Sequence, residues 1–254
     1  MRERGQGGEG AGGALARREQ GEPLEVDLSR LGRIAVVMTL VVWGLGILRE
    51  LVIGRIGTET LLEDMRQLAL DVEHSLPAWY SSLLMLGCAI VLLVVARATR
   101  RDGGRDVLAW SLLALLFAAM ALDEAVSFHE VLISPVRGLL GTSGIFHFAW
   151  VIPGAIGVAV IGVYFVPFLL RLPRRTAVAF AASGAIYVLG ALGTEMVGGA
   201  MAEAYGTQAL PYIAAFVVEE GLEMAGLTCF LLALFDFVRS RGPGWSSFTL
   251  VGAS

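Results

Sequence analysis

The chain has 254 residues, 56% of them hydrophobic, and a mean hydropathy of +0.71. Apolar content this high, gathered in long uncharged runs, excludes a set of soluble domains and points to one membrane-embedded bundle. The net charge is −4, every basic residue is arginine, and Cys88 and Cys229 lie in apolar runs without a C-x-x-C pairing. A disulfide framework or thiolate metal site is therefore not expected.

Residues 1–30 are rich in Gly, Arg and Glu with no apolar period, and read as a disordered tail. They lack the apolar core and small-residue cleavage site of a signal peptide, so the first apolar run is expected to be retained. Six membrane spans follow, at roughly 34–53, 79–96, 107–132, 148–170, 176–201 and 212–238. Each is close to the roughly 20 residues a bilayer core requires. The organisation is thus a tail over 1–30, a six-helix domain over 31–240 and a C-terminal tail over 241–254.

Orientation follows from arginine. The N-terminal tail, the 97–105 and 171–175 connections and the C-terminal segment carry 15 of the 19 arginines. With six spans these four segments share one side, which the positive-inside rule makes cytoplasmic. Both termini are expected inside, in a bacterial-type plasma membrane. RLPRR (171–175) reads as a topology signal, and no nucleic-acid partner is expected.

The outer connections differ. In 54–78, Thr60 followed by Glu63 has capping-box spacing, and Leu61, Leu62, Met65, Leu68 and Val72 share a helical face. A short amphipathic helix on the outer leaflet is predicted there. The connection 131–147 holds Pro135 and the Gly-rich GLLGTSG. Its Gly-x-Ser-Gly resembles the motif of intramembrane serine proteases, but those need a histidine on the sixth span and none is present. A turn explains the stretch. Trp79 and Trp150 fall near outer boundaries, as anchoring aromatics do.

The informative residues are acids inside apolar runs. Counting about 1.5 Å per residue from the arginine-rich edge puts Asp123, Glu124, Glu195, Glu219, Glu220 and Glu223 at about 24–30 Å, with Arg49 and Glu50. His129, Glu130 and His147 lie above them, at about 36 Å. On the sixth span the three glutamates occupy an arc about 100° wide. A charge facing lipid costs at least about 2.5–3.5 kcal/mol, so these arcs are expected to face inward. One arginine and two histidines cannot neutralise eight carboxylates.

Carboxylates from several helices with histidine nearby suit a divalent metal such as zinc, iron or manganese. Asp123, Glu124, His129, His147, Glu195, Glu219 and Glu223 are the candidate ligands. The Glu-x-x-His pairs of di-iron bundles are missing. With a metal, Glu220 and Glu130 are candidate general bases for bound water, and a hydrolase acting on a lipid or other extracytoplasmic substrate is the expectation, with a redox centre as the other enzymatic form. The same acids could serve a cation- or proton-coupled transporter, a metal sensor, or a non-catalytic polar network. The cytoplasmic halves of the spans hold almost no ionisable groups, which disfavours a through-route.

Overall fold

The computed structural model describes residues 24–25, 27–57, 65–242, 245 and 247–248. Six helical stretches among them are long and apolar enough to cross a membrane. The first helix, α1 (Leu28–Ile56), starts where Asp27 accepts hydrogen bonds from the backbone N–H of Ser29 and Arg30 at 2.9 and 3.0 Å. A carboxylate at this position satisfies amides that have no partner within the helix. Helix α2 (Leu76–Arg101) starts on Ser75, which accepts from Ala78 N, with Pro77 in a first turn that needs no N–H.

Helix α3 (Val107–Val126) is followed by the short α4 (Ile133–Leu140) and then α5 (Val151–Leu169). The fifth span has three parts: α6 (Arg174–Val188), a π turn over Leu189–Thr194, and α7 (Glu195–Tyr205). The sixth is α8 (Leu210–Ser240). Two-residue strands, β1 (Leu24–Glu25) and β2 (Ser247–Phe248), pair antiparallel.

Helix α8 is the centre of the bundle and packs against α1, α2, α6, α7 and the π turn. Glycine permits two of its close backbone approaches. A Cβ at Gly226 would stand 2.7 Å from Tyr187 N, and one at Gly190 3.0 Å from Glu219 O. Toward the arginine-rich end an aromatic cluster fills the core, with Trp110 edge-on to Phe168 at 4.8 Å. Thr39 joins α1 to α2 and α8 through Tyr80 (2.9 Å) and Thr228 (2.7 Å), so its buried hydroxyl is satisfied. Outward faces are apolar: Leu40, Leu48, Ile90, Leu115 and Val163 are all exposed. Exposed apolar surface on this scale fits an integral membrane protein.

Two expectations change. Of the amphipathic outer helix, Thr60, Leu61, Leu62 and Glu63 lie outside the described residues, as does the tail through residue 23. The described remainder holds a single 3-10 turn at Arg66–Leu68. The chain turns inward there because Ala69 and Leu70 are buried, Leu70 against Gly46 of α1. The third span stops at Val126 instead of running to Leu132. Ser127 adopts φ +57°, and the chain then makes a 3-10 turn at His129–Leu132. The Asp123 carboxylate captures the backbone N–H of His129 at 3.0 Å, which folds the chain back over the helix end.

Candidate functional site

At the end of the bundle opposite the paired arginines Arg171 and Arg175, a cavity of about 360 Å³ opens between α3, α5, the π turn, α7 and α8. Nine carboxylates line it: Asp71, Glu73, Asp123, Glu124, Glu130, Glu195, Glu219, Glu220 and Glu223. His129 alone among the lining residues can carry positive charge.

Each element presents its acids for a local reason. On α8, Glu219 and Glu223 are four apart and Glu220 and Glu223 three apart, so all three share the inward face. Gly190 lets the π turn press against Glu219 and Glu223, with a Cβ there only 2.9 Å from Glu223 Cγ. The turn leads directly into Glu195, and π turns inside α-helices commonly mark functional positions. Thr194 stabilises it by donating to Gly190 O at 2.6 Å.

A polar chain ties three spans together at the cavity mouth. His129 Nδ1 lies 2.8 Å from Asp123 Oδ2, and the His129 ring packs on Trp150 with centroids 4.7 Å apart. Trp150 Nε1 donates to Glu195 Oε1 at 2.9 Å. Trp150, read from sequence as a boundary anchor, is instead a wall of the cavity. Trp79 is 60% exposed, as an anchoring aromatic should be.

Of the candidate ligands, Asp123, Glu124, His129, Glu195, Glu219 and Glu223 all line the cavity, and so do Glu130 and Glu220. His147 does not line it: its Nδ1 is 3.6 Å from Glu203, and its carbonyl accepts from Arg137. Glu50 is also elsewhere, held by Arg49 at 2.6 Å. Arg49 is therefore shared, pairing with Glu50 while its charge also reaches Asp71 of the cavity lining. Asp71 and Glu73 were missed, because Asp71 falls within the segment read as a leaflet-surface helix and Glu73 directly after it. Their signal was faint: in DVEH the two acids stand two apart, beside a histidine.

The electrostatics are dominated by acids, with Arg49 and Arg66 offsetting only part of the burial at Asp71. Glu220 feels the charges of Glu124, Glu73, Glu195 and Asp71, and Glu223 those of Glu220, Glu124, Glu195 and Glu73. Burial raises the carboxyls of Asp71 and Glu73 above the usual carboxylate range. Glu73 Oε2 is buried with no hydrogen-bond partner. At His129 burial disfavours the imidazolium, but the hydrogen bond and charge of Asp123, with Glu73 and Glu124, outweigh it. His129 accordingly keeps its proton above the ordinary imidazole range.

No group of three His, Cys, Asp or Glu side chains converges closely enough to hold a metal ion among the described residues. The zinc, iron or manganese centre expected from sequence thus has no ligand set assembled among the described residues. Glu130 sits at the exposed rim while Glu220 lies inside the bundle. What the arrangement can do is hold positive charge in a volume much larger than a single bare ion.

The chain belongs to the family described as Domain of unknown function (DUF8692), whose model matches residues 33–238. No curated protein and no solved structure matches it.

Proposed function

We propose that this chain is an integral membrane protein that binds an organic cation, with amine chemistry, in the acid-lined cavity. One observation carries the reading: nine carboxylates line a single cavity of about 360 Å³ in which His129 is the only lining residue able to carry positive charge. Unpaired buried carboxylates are costly, and a bound cation supplies the missing countercharge. The size supports a small molecule, since ligand pockets begin at about 300 Å³. Trp150, Tyr187, Tyr212 and Phe216 in the lining add aromatic faces that attract ammonium groups.

By the positive-inside rule the cavity belongs to the extracytoplasmic half of a plasma membrane, because the arginine-rich connections lie at the other end. Binding is one-sided. The neighbouring interior toward that end is walled by Leu113, Phe117, Phe165 and Phe230, with no acid to continue a path. This favours a receptor or sensor over a channel.

The test is calorimetric titration of the detergent-purified protein with 1,4-diaminobutane, in wild type and in Glu220→Gln/Glu223→Gln. Saturable binding that weakens at least tenfold in the double variant is expected. Absence of binding in the wild type, or equal binding in both, overturns the reading. A parallel titration with Zn²⁺ and Mn²⁺ addresses the metal expectation: on this reading either ion competes with the diamine, and neither is retained in stoichiometric amount after purification.

A further inference from the structure

Beside the acid cavity lies a second one of about 310 Å³, between α3, α5, α6 and α8. Its walls are apolar. Ser183, one of two hydroxyl-bearing residues lining it, donates to Ala179 O at 2.7 Å within its own helix, and the other, Tyr187, stands at the boundary with the acid cavity. The two cavities share the walls Leu116, Met120, Val158, Ile161, Tyr187 and Val188, so they meet along one seam.

This cleft is not closed by packing. The backbone of α5 comes close to the rest of the bundle mainly at the π turn, while its far end reaches α3 through the Phe168 ring against Trp110. Gly157 of the acid cavity and Gly162 and Gly184 of the cleft have nothing within 4 Å of where a Cβ would sit. Well-packed interiors leave few voids larger than a water, and a void with no polar partners does not hold water. In a bilayer its natural occupant is a hydrocarbon chain. The adjoining acids choose the other end of that molecule, because only a positive head complements nine carboxylates.

We propose that the two cavities form one site for a single-chain amphiphile with an amine head, the head among the carboxylates and the chain in the cleft. This deepens the cation reading and rests on it. The head remains at the level of the acid layer while the chain runs toward the arginine-rich end, parallel to the chains of lipids in the same leaflet. Tyr187, at the seam, marks the junction between head and chain. The membrane itself delivers such a ligand, so no aqueous route to the cleft is needed.

The experiment uses the full chain in phosphatidylcholine nanodiscs and a dodecylamine bearing a photoreactive diazirine at the end of its chain. Labelled residues are located by peptide mass spectrometry, with dodecylamine, dodecanoic acid or 1,4-diaminobutane as competitor. Labelling is expected on α3, α5 and α6 near Phe117, Phe165 and Phe180. Dodecylamine should displace the probe at least tenfold better than dodecanoic acid. Gly184→Leu, whose side chain enters the open cleft, should lower labelling at least tenfold while leaving diaminobutane binding intact; Gly162→Leu is the second variant should the first not fold. Equal displacement by amine and acid, or undiminished labelling in both leucine variants, overturns the amphiphile. If diaminobutane still binds in that case, the cation reading survives alone; if no amine binds, both fall.

Discussion

Gly190→Ala examines whether the π turn and α8 are set by direct contact. A Cβ at this position would meet Glu223 Cγ at 2.9 Å, Glu219 O at 3.0 Å and Glu223 N at 3.1 Å. Two of the three are main-chain atoms of α8, which no side-chain rotation can move aside. The helices must separate by a few tenths of an ångström, and overpacking of this kind costs about 1–3 kcal/mol. Gly87→Ala is the control, because nothing lies within 4 Å of its Cβ position. Replacing a mid-helix glycine with no collision gains up to about 1 kcal/mol. The assay is the thermal unfolding midpoint in detergent, which moves roughly 2–4 °C per kcal/mol for a chain of this size. Gly190→Ala should melt several degrees below wild type and Gly87→Ala at or above it. It should also weaken diamine binding, since Glu219 and Glu223 move with α8. A Gly190→Ala protein as stable as Gly87→Ala refutes the contact argument.

Two further outcomes concern protons. Asp71 and Glu73 hold theirs above the usual carboxylate range, and His129 holds its own above the usual imidazole range. Each deprotonation adds negative charge to a cavity shared with Asp123, Glu124, Glu130, Glu195, Glu219, Glu220 and Glu223. Diamine affinity should therefore rise between pH 5 and pH 8, with proton release seen by titration in buffers of different ionisation enthalpy; a flat or falling affinity contradicts this. Asp123→Asn removes the partner that keeps His129 charged. Because the folded pKa of His129 is raised, the pair's stabilisation is fully present below the unfolded value of about 6.5 and lost as pH rises through the folded value. The melting difference between wild type and Asp123→Asn should shrink toward alkaline pH, and a difference that grows would reverse that sign.

Much of this architecture was legible because hydropathy is local. A run such as Val107–Leu122 cannot be solvated, and the Asp27 cap sits immediately before the first helix. The inward arcs of Asp123, Glu124 and the α8 glutamates were legible for a related reason: helical geometry fixes their direction, and lipid penalises the alternative. The failures are non-local. Phe128, Val131 and Leu132 continue an apolar pattern, yet the helix ends because Asp123 reaches six residues ahead to the His129 amide. Asp71 and Glu73 arrive at the cavity only because Leu70 finds space over Gly46, a contact that no periodicity encodes. The same holds for Trp150, whose indole N–H is claimed by Glu195, 45 residues away. His147 stands apart from the cavity for a similarly non-local reason: Glu203 and Arg137 hold it to one side.

The central claim, a cavity of strong negative potential that admits cations, is tested most directly by the charge selectivity of a thiol placed inside it. Gly157 lines the cavity with nothing within 4 Å, so Gly157→Cys in a Cys229→Ala background adds a thiol while keeping every acid; Cys88 is buried and does not compete. The reaction rates of a cationic and an anionic methanethiosulfonate of similar size are then compared. Focused fields in clefts change encounter rates by about 10–1,000-fold, so the cationic reagent should react at least tenfold faster. Glu220→Gln/Glu223→Gln should erode that preference. Equal rates, or a faster anionic reagent, would contradict the account.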